Sequence, residues 1–517
     1  MATYPAVAFC PYPTLSQRTY PLPTSRLGHP WEDTLRAGGW GYVEESPVSV
    51  AAWAVAEVGA APLGDPRRSR RLAALLSDLA VRPGDGIPAA CATPAATKAA
   101  YRFLDNDAIA AETILATHTA ATQARLAGEA MILALQDTTT LDFTAHATLG
   151  GVGPLAHPAR TGLLLHSVLA ATTDGAPLGL LHQHVWTRDP ETVGLRHSRR
   201  QRPTSEKESQ RWLDAQTATD QTVPTSIAVL TVADREADIY DLFARPRPAP
   251  HDLLVRATQN RRIDEETHHL WTAVEQAPVG DVVPVMVARR ADRPPREAYL
   301  TLRWTAVTVL PPQNRAGRAQ LPSVPVVALL AAEPVPPAGE KPIRWLLLTT
   351  RPVTSGEAAL ACVRWYALRW LIERYHFVLK SGCRMEAVQL RTAARVQRAL
   401  TLYAIVAWRL LWLTCLARTD PEQPCTVALT DAEWQGLHRA VQPHRAVPAP
   451  PPPLGQAVRW IARLGGFLDR ADDGEPGVTV LWRGLQRLEA LTLGWHLATT
   501  IPPPPPAAVP SPLVGNG

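Results

Sequence analysis

Residues 226–236 of the chain read SIAVLTVADRE, an apolar run that ends abruptly in Asp234. A second run of this kind, MILALQDTT at residues 131–139, delivers Asp137. Short stretches rich in Ile, Val and Leu are typical of buried strands. Because ligands of α/β folds commonly lie at the carboxyl ends of strands, we expect a mixed sheet in which two neighbouring strands each end in an aspartate.

Two interpretations of these aspartates are open. Each one, taken alone, is typical of a residue that caps the turn or helix after a strand. A pair of carboxylates on adjacent strands is instead suited to Mg²⁺, which prefers oxygen ligands and keeps several water or phosphate oxygens in its coordination sphere.

A third carboxylate lies in a helical segment, YALRWLIERYHFVLK at residues 366–380. In a continuous α-helix, Tyr366, Arg369, Glu373 and Lys380 fall within an arc of roughly 60°, and the apolar residues fall opposite. A salt-bridged surface helix would show a similar face. A carboxylate that joins a metal cluster, with cations on flanking phosphates and aromatic rings beside bases, also explains the excess of cations and rings.

Composition narrows the class of protein. The 517 residues are enough for two to four domains, and the net charge of +5 does not by itself indicate a nucleic-acid binder. The six cysteines are scattered without a CxxC pair, so they predict neither a disulfide framework nor a zinc site. The N-terminus lacks a signal-peptide pattern. The apolar segment 399–417 contains Arg409 and favours a buried helix over a membrane span.

The periodicity of apolar residues divides the chain into six segments. They are a loose Pro-rich extension (1–47), an all-helical module (48–117), an α/β region (118–418) with an antiparallel β insertion at about 252–350, a linker region (419–454), a helical region (455–498) and a Pro-rich tail (499–517).

The Tyr-x2-Arg-x3-Glu-x6-Lys pattern resembles the YREK signature of DDE transposases of the insertion-sequence-four family. Further segments resemble that family in the same order along residues 48–498. They are LGDPRR (63–68), AYRFL (100–104), QDTT (136–139), EKES (206–209), DREADI (234–239), WLLLT (345–349) and IARLGGF (461–467).

The resemblance implies an RNase H-like catalytic core with a β-strand insertion, between a helical DNA-binding domain and a helical dimerisation domain. It implies that Asp137, Asp234 and Glu373 hold two Mg²⁺ ions, with Mn²⁺ as a substitute, for in-line displacement at phosphorus. The other signature and aromatic residues would contact DNA: Tyr366, Arg369 and Lys380 at phosphates near the cleaved end, and Trp345 and Trp370 at a flipped base. For Trp345, a buried strand tryptophan is an open alternative.

The resemblance also implies the partners. Double-stranded DNA, as terminal inverted repeats and as target, would be bound by a homodimer in a synaptic complex. The segment that recognises the repeat would include Arg67, Arg68, Arg70, Arg71, Lys98, Tyr101 and Arg102, although such a charge run is more often a solvated helix face. We expect a cytoplasmic, nucleoid-associated protein without a membrane partner.

The expected function is cut-and-paste transposition, with cleavage through a DNA hairpin and joining to target DNA. Two alternatives are an RNase H-like metal nuclease that lacks strand transfer and a catalytically silent DNA-binding inhibitor of transposition. The presence of all three carboxylates weighs against the inhibitor, and the β insertion and helical C-terminal region weigh against a minimal nuclease.

Overall fold

The computed structural model describes residues 51–157, 159–190, 203–287, 296–315, 317–470 and 473–500, except for the side chains of 493 and 496–500. The predicted extension (1–47) and the tail from residue 501 onward lie outside the described residues. The chain divides into two compact units, one ending at Thr419 and the other beginning at Asp420.

Helices open the described part of the first unit, as the apolar periodicity predicted. Their bounds are Ala52–Val58, Pro66–Val81, Ile87–Ala90, Pro94–Leu104 and Ala111–Leu126. Asp65 and Thr93 cap the second and fourth of these through their side chains, each followed by a proline in the first turn. The last helix continues past residue 117, where the sequence predicted the end of the helical module, and packs against the sheet.

The described residues of the first unit contain ten strands of one mixed sheet. They are β1 (Met131–Asp142), β2 (Gly153–Pro154), β3 (Thr161–Thr172), β4 (Pro177–Trp186), β5 (Ala228–Ala233), β6 (His251–Arg256), β7 (Asp281–Val287), β8 (Arg296–Val309), β9 (Val324–Ala332) and β10 (Arg344–Thr349). Their order is β2-β3-β1-β5-β6-β10-β9-β8-β7, with β4 paired to β3. β1 runs antiparallel to β3 and parallel to β5, so the predicted mixed α/β sheet is confirmed.

The predicted β insertion at about 252–350 differs from the structure at its first strand. β6 pairs in parallel with β5, so it belongs to the centre of the sheet. β7 to β10 are antiparallel, as predicted, and extend the same sheet outward from β6. An alternating apolar pattern indicates that a segment is a strand, but it does not indicate which strand it pairs with. The parallel pairing of β6 with β5 could therefore not be predicted from the sequence.

Helices cover both faces of the sheet. Gln210–Thr222 packs on the face that carries His166, whose ring contacts Trp212 edge-on at 4.6 Å. The opposite face is covered by Trp370–Phe377 and Ala393–Thr419. Among its described residues, this unit also contains the helices Tyr240–Ala244, Leu270–Gln276 and Gly356–Ala367, the 3₁₀ turns Thr204–Glu206, Arg235–Ala237, Arg318–Gln320 and Met385–Ala387, and a π turn at Val378–Gly382.

The helix Ala393–Thr419 is long and apolar enough to cross a membrane, but 94% of its most apolar window is buried inside the fold. Arg398 on this helix donates to the backbone oxygens of Ile109 and Leu104. Burial against the rest of the unit explains its composition, so the predicted buried helix is confirmed.

The second unit is helical in the residues that the structure describes. Its helices are Asp431–Val441, Leu454–Leu464 and Val478–Thr500, with a 3₁₀ turn at Cys425–Val427. The first of them lies inside the segment predicted as a linker (419–454). Thr430 and Glu433 form a capping box at its start, and Trp434 is buried, which are local signals that the proline content of this segment obscured.

Candidate active site

The two aspartates of the sheet lie beside each other but not at equivalent points of their strands. Asp234 directly follows β5, as predicted. Asp137 lies in the middle of β1 because pairing with β3 continues past it, through Asp137 opposite Ser167. The parallel pairing of β1 with β5 ends at Gln136 opposite Ala233, so both carboxylates emerge where this pairing stops.

Backbone amides hold both carboxylates. Asp137 accepts a hydrogen bond of 2.8 Å from the N–H of Thr138, and Asp234 accepts one of 2.8 Å from the N–H of Glu236. The capping interpretation is therefore realised at Asp234, which begins a 3₁₀ turn. One oxygen of each carboxylate accepts this bond. Both carboxylates also interact electrostatically with the guanidinium of Arg369.

The segment 366–380 departs from the continuous helix that the sequence predicted. The N–H of Arg369 bonds to the oxygen of Tyr366, a tight i to i−3 contact, so one helix ends at Ala367 and the next begins at Trp370. A π turn follows from Val378 to Gly382. Despite the two interruptions, the guanidinium carbon of Arg369 still lies 5.9 Å from the ring centre of Tyr366. Arg369 and Glu373 remain neighbours at the i, i+4 spacing.

Arg369 gathers the three candidate acidic residues. It donates a hydrogen bond to the Glu373 carboxylate, and its Nη1 lies 3.9 Å from Oδ2 of Asp137. Burial opposes the charge of Arg369, yet the neighbouring Tyr366 hydroxyl and the carboxylates of Glu373, Asp137 and Asp234 raise its pKa well above the ordinary value. Three carboxylates from distant parts of the chain thus converge on one guanidinium group.

The donor set fits a divalent cation. Oxygen ligands from two aspartates and one glutamate suit Mg²⁺ or Mn²⁺, and the guanidinium of Arg369 stands where positive charge is required. Among the described residues, no three His, Cys, Asp or Glu side chains lie close enough together to hold a metal as they stand.

The charge state of Asp137 follows from its surroundings. Burial raises the pKa of Asp137 to about 7, and Asp234 and Glu373 add to the rise, although Arg369 and the Thr138 amide oppose it. His376 lies on the same side, with Nδ1 3.9 Å from Oδ2 of Asp137. Burial lowers the pKa of His376 to about 3, so this ring is neutral.

Several of the other residues predicted to contact DNA already contact other residues of the chain. Tyr366 is buried, with its ring edge-on to Trp345 at 5.1 Å, and Trp345 is only 8% exposed, as the buried-strand alternative has it. Trp370 is half-buried. Lys380 donates to the oxygen of Thr140 at 2.8 Å, and so ties the π turn to β1. The DNA contacts predicted for these residues therefore stay predictions.

The DNA-contact residues predicted near the N-terminus separate into two groups. Arg67, Arg70, Lys98 and Arg102 are exposed, and the last two lie one turn apart on the helix Pro94–Leu104. Three others are partly buried: Arg68, Arg71 and Tyr101. Arg68 donates to the backbone oxygen of Leu63 and closes the loop before its helix.

The sequence prediction missed the residues that surround the two aspartates. Arg211 bonds to Thr138 and Glu236, and His376 bonds through Nε2 to Ser167 at 3.3 Å. Thr138 and Glu236 could have been recognised as neighbours of the site, because they lie within two residues of the aspartates. No signal in the sequence links Arg211 to both of them.

Three family models match the chain. Transposase DNA-binding matches residues 50–109, the transposase DDE domain matches residues 253–409, and the transposase Tn5 dimerisation domain matches residues 405–501. The DDE match includes Glu373 and begins after the two aspartates. The chain thus carries domains for DNA binding, DDE catalysis and dimerisation, which support the predicted DNA transposase.

Proposed function

We propose that this chain, with the DNA-binding, DDE and dimerisation domains of a transposase, is a cut-and-paste DNA transposase of the insertion-sequence-four family. It would bind the terminal inverted repeats of its element, cleave the ends through a hairpin and join them to target DNA. The mixed sheet with two adjacent aspartates supports an RNase H-like core, and the Arg369–Glu373 pair supports the YREK assignment. We also propose a cytoplasmic, nucleoid-associated location.

One observation carries the proposal. Asp137, Asp234 and Glu373 come from two strands and a helix far apart in the chain, and all three act on the same guanidinium group, that of Arg369. Clustered carboxylates repel one another, so their convergence has an energetic cost that a purely structural site would avoid. Such a site is typical of one that binds divalent cations.

We propose that Asp137, Asp234 and Glu373 hold two Mg²⁺ ions, or Mn²⁺ in their place. When bound, these ions supply charge stabilisation for the entering and leaving oxygens of an in-line displacement at phosphorus. Glu373 has 40% of its side chain exposed, compared with 19% for Asp137, and it lies on a helix that begins after a break in the backbone. A small movement of this helix would bring Glu373 to the aspartates.

Arg369 and Lys380 would bind the phosphates of the cleaved end. A phosphate that accepts hydrogen bonds from Arg369 competes directly with Glu373 for the guanidinium, so DNA binding would release the glutamate for metal. Lys380 would exchange the Thr140 oxygen for a phosphate in the same way. Tyr366 and Trp345 would contact the DNA end only after their ring contact opens, whereas Trp370 is already half-buried rather than enclosed.

The exposed cations Arg67, Arg70, Lys98 and Arg102 would contact the phosphates of the terminal repeat, because an exposed cation releases condensed counterions when it neutralises a phosphate. The helices of the second unit would form the homodimer. A domain match supports each of these two assignments.

The test is a strand-transfer assay. The full chain is incubated with Mg²⁺, a duplex carrying the element's terminal repeat and a target plasmid, and joined products are separated on a gel. We expect hairpin intermediates and joined products with the wild type and neither with Asp234→Asn. Cleavage without any joined product would instead establish a metal nuclease. Repeat binding without cleavage by the wild type would establish a silent inhibitor.

A further inference from the structure

Arg211 lies behind the two aspartates, in the first turn of the helix Gln210–Thr222. Only 11% of its side chain is exposed. Its guanidinium carbon lies 5.6 Å from the ring centre of Trp186 and 5.4 Å from that of Trp212. These rings and the helix leave the group little freedom, so its N–H donors point in fixed directions.

Three of those donors are used. Nε of Arg211 donates to Oγ1 of Thr138 at 2.9 Å, and Nη2 donates to the carboxylate of Glu236 at 2.5 Å. Nη1 donates to the backbone oxygen of Glu208 at 2.7 Å, which anchors the group to its own helix turn. Arg211 thus bridges β1 and the turn that follows β5.

The two residues that accept these bonds are the ones whose backbone amides hold the aspartates. The N–H of Thr138 donates to Asp137, and the N–H of Glu236 donates to Asp234, each at 2.8 Å. The two connections are of the same kind. In each, the Arg211 guanidinium binds a side chain, and a backbone N–H of that same residue binds the aspartate.

We propose that Arg211 is a positioning residue that sets the spacing and orientation of Asp137 and Asp234 for metal binding. This inference rests on the proposed function of the two aspartates as metal ligands. Arg211 does not reach the metal or the DNA; it acts through Thr138 and Glu236. Residues that orient metal ligands from behind commonly contribute 10–100-fold to metal affinity or activity.

An arginine is required here for a geometric reason. Its planar fork presents Nε and Nη2 at a fixed angle, whereas lysine offers one mobile ammonium group. Thr138 is held on a second side, because its Oγ1 lies 2.9 Å from Nδ1 of His166. Since the hydroxyl accepts from Arg211, it donates its proton to His166. A valine at position 138 would keep the shape of threonine and lose both bonds.

The experiment measures Mn²⁺ binding to the full chain by electron paramagnetic resonance, and the Mg²⁺ concentration that gives half-maximal cleavage. We expect Arg211→Lys and Thr138→Val each to weaken Mn²⁺ binding and to raise the half-maximal Mg²⁺ concentration by about 10–100-fold. Cleavage at saturating Mg²⁺ should recover in both. Thr138→Ser, which keeps the hydroxyl, should bind Mn²⁺ as the wild type does.

Arg296→Lys is the matched control. Arg296 also forms a two-pronged bond to a carboxylate, that of Glu333, but it lies on β8, which carries none of the proposed metal ligands. Its Mn²⁺ affinity should equal that of the wild type. Thermal unfolding of every variant establishes that it is folded, and Thr138→Val tests the same link if Arg211→Lys does not fold.

The outcomes separate the inference from the function on which it rests. If Asp137→Asn binds Mn²⁺ as well as the wild type, the proposed metal site itself is refuted. If Asp137→Asn loses the ion while the folded Arg211→Lys and Thr138→Val variants bind it as the wild type does, the positioning role alone is refuted. A loss of cleavage in these variants at every Mg²⁺ concentration, with unchanged Mn²⁺ affinity, also contradicts it.

Discussion

Asparagine at position 137 should abolish cleavage and yet stabilise the metal-free chain above neutral pH. In the folded protein burial raises the pKa of Asp137 to about 7, compared with an ordinary value of 3.8. The folded state therefore holds a proton that the unfolded state has released between these two pH values. Stability falls as pH rises from about 4 to 7 and stays at the lower level above 7. An asparagine does not titrate and escapes this loss.

The size of the effect follows from the two pKa values. At about 1.4 kcal/mol per pKa unit, ionisation of Asp137 costs the folded state roughly 1.7 kcal/mol at pH 5 and roughly 4.3 kcal/mol at pH 8. The difference of about 2.6 kcal/mol is the change in stability that the titration of Asp137 contributes between pH 5 and pH 8. Groups that do not interact with Asp137 titrate equally in both proteins and cancel from the comparison.

The assay is urea unfolding of the wild type and of Asp137→Asn at pH 5 and pH 8, without divalent ions. We expect the stability advantage of the variant to be larger at pH 8 by about 2–3 kcal/mol. Mg²⁺ at pH 8 should then stabilise the wild type, because the ion binds the ionised carboxylate, and should leave the variant unchanged.

Asp142→Asn is the control on the same strand. Asp142 accepts hydrogen bonds from the side chain and the backbone N–H of Thr144, which lower its pKa, so its removal should give no advantage at pH 8. An equal effect of Asp137→Asn at both pH values would refute the raised pKa of Asp137.

Three further predictions follow from the site and the two units. Asp137→Asn, Asp234→Asn and Glu373→Gln should each abolish cleavage in a gel assay but retain terminal-repeat binding in a mobility-shift assay; wild-type nicking by any of them would contradict the assignment. Glu57→Gln should cost about 3–5 kcal/mol by urea unfolding at pH 7, because it leaves the buried Arg125 without its bidentate carboxylate. Burial opposes the charge of Glu57 but its partners His118 and Arg125 lower the pKa to about 2, so the wild-type advantage should shrink as pH falls from about 4.5 toward 2. Thr430→Ala, which removes a capping box, should destabilise the second unit by about 1 kcal/mol in thermal unfolding, and an unchanged midpoint would rule out a contribution from this cap.

Much of the architecture could be predicted because it depends on local patterns. The apolar runs at β1 and β5 predict buried strands, and the capped, proline-started helices of the first unit follow from short-range signals. The pairing partners of β6 could not be predicted in this way. Its sequence fits a strand in either a parallel or an antiparallel neighbourhood, and only the path of the whole chain decides between them.

The candidate site shows the same division. Asp137, Asp234 and Glu373 stand out in the sequence by residue type and context, whereas Arg211 lies in a helix that looks ordinary. The interruption at Arg369 was not predictable from periodicity, because a 100° repeat assumes that the helix is regular. Sequence patterns therefore indicate the groups that bear charge at the site, and long-range packing determines how those groups are held.

The pairing of β6 with β10 has a consequence for how this protein tolerates change in length. Arg256, at the end of β6, lies opposite Leu347 on β10, so the intervening chain departs from and returns to the same place in the sheet. The strands between β6 and β10 therefore form a segment whose two ends lie next to each other in the sheet. The path from β10 to Glu373 does not run through this segment. Its base is nevertheless part of the core, because Ile263 and Val324 pack in one cluster with Ala233 and Arg261 binds Asp238, so a change of length should be tolerated only at the outer loops.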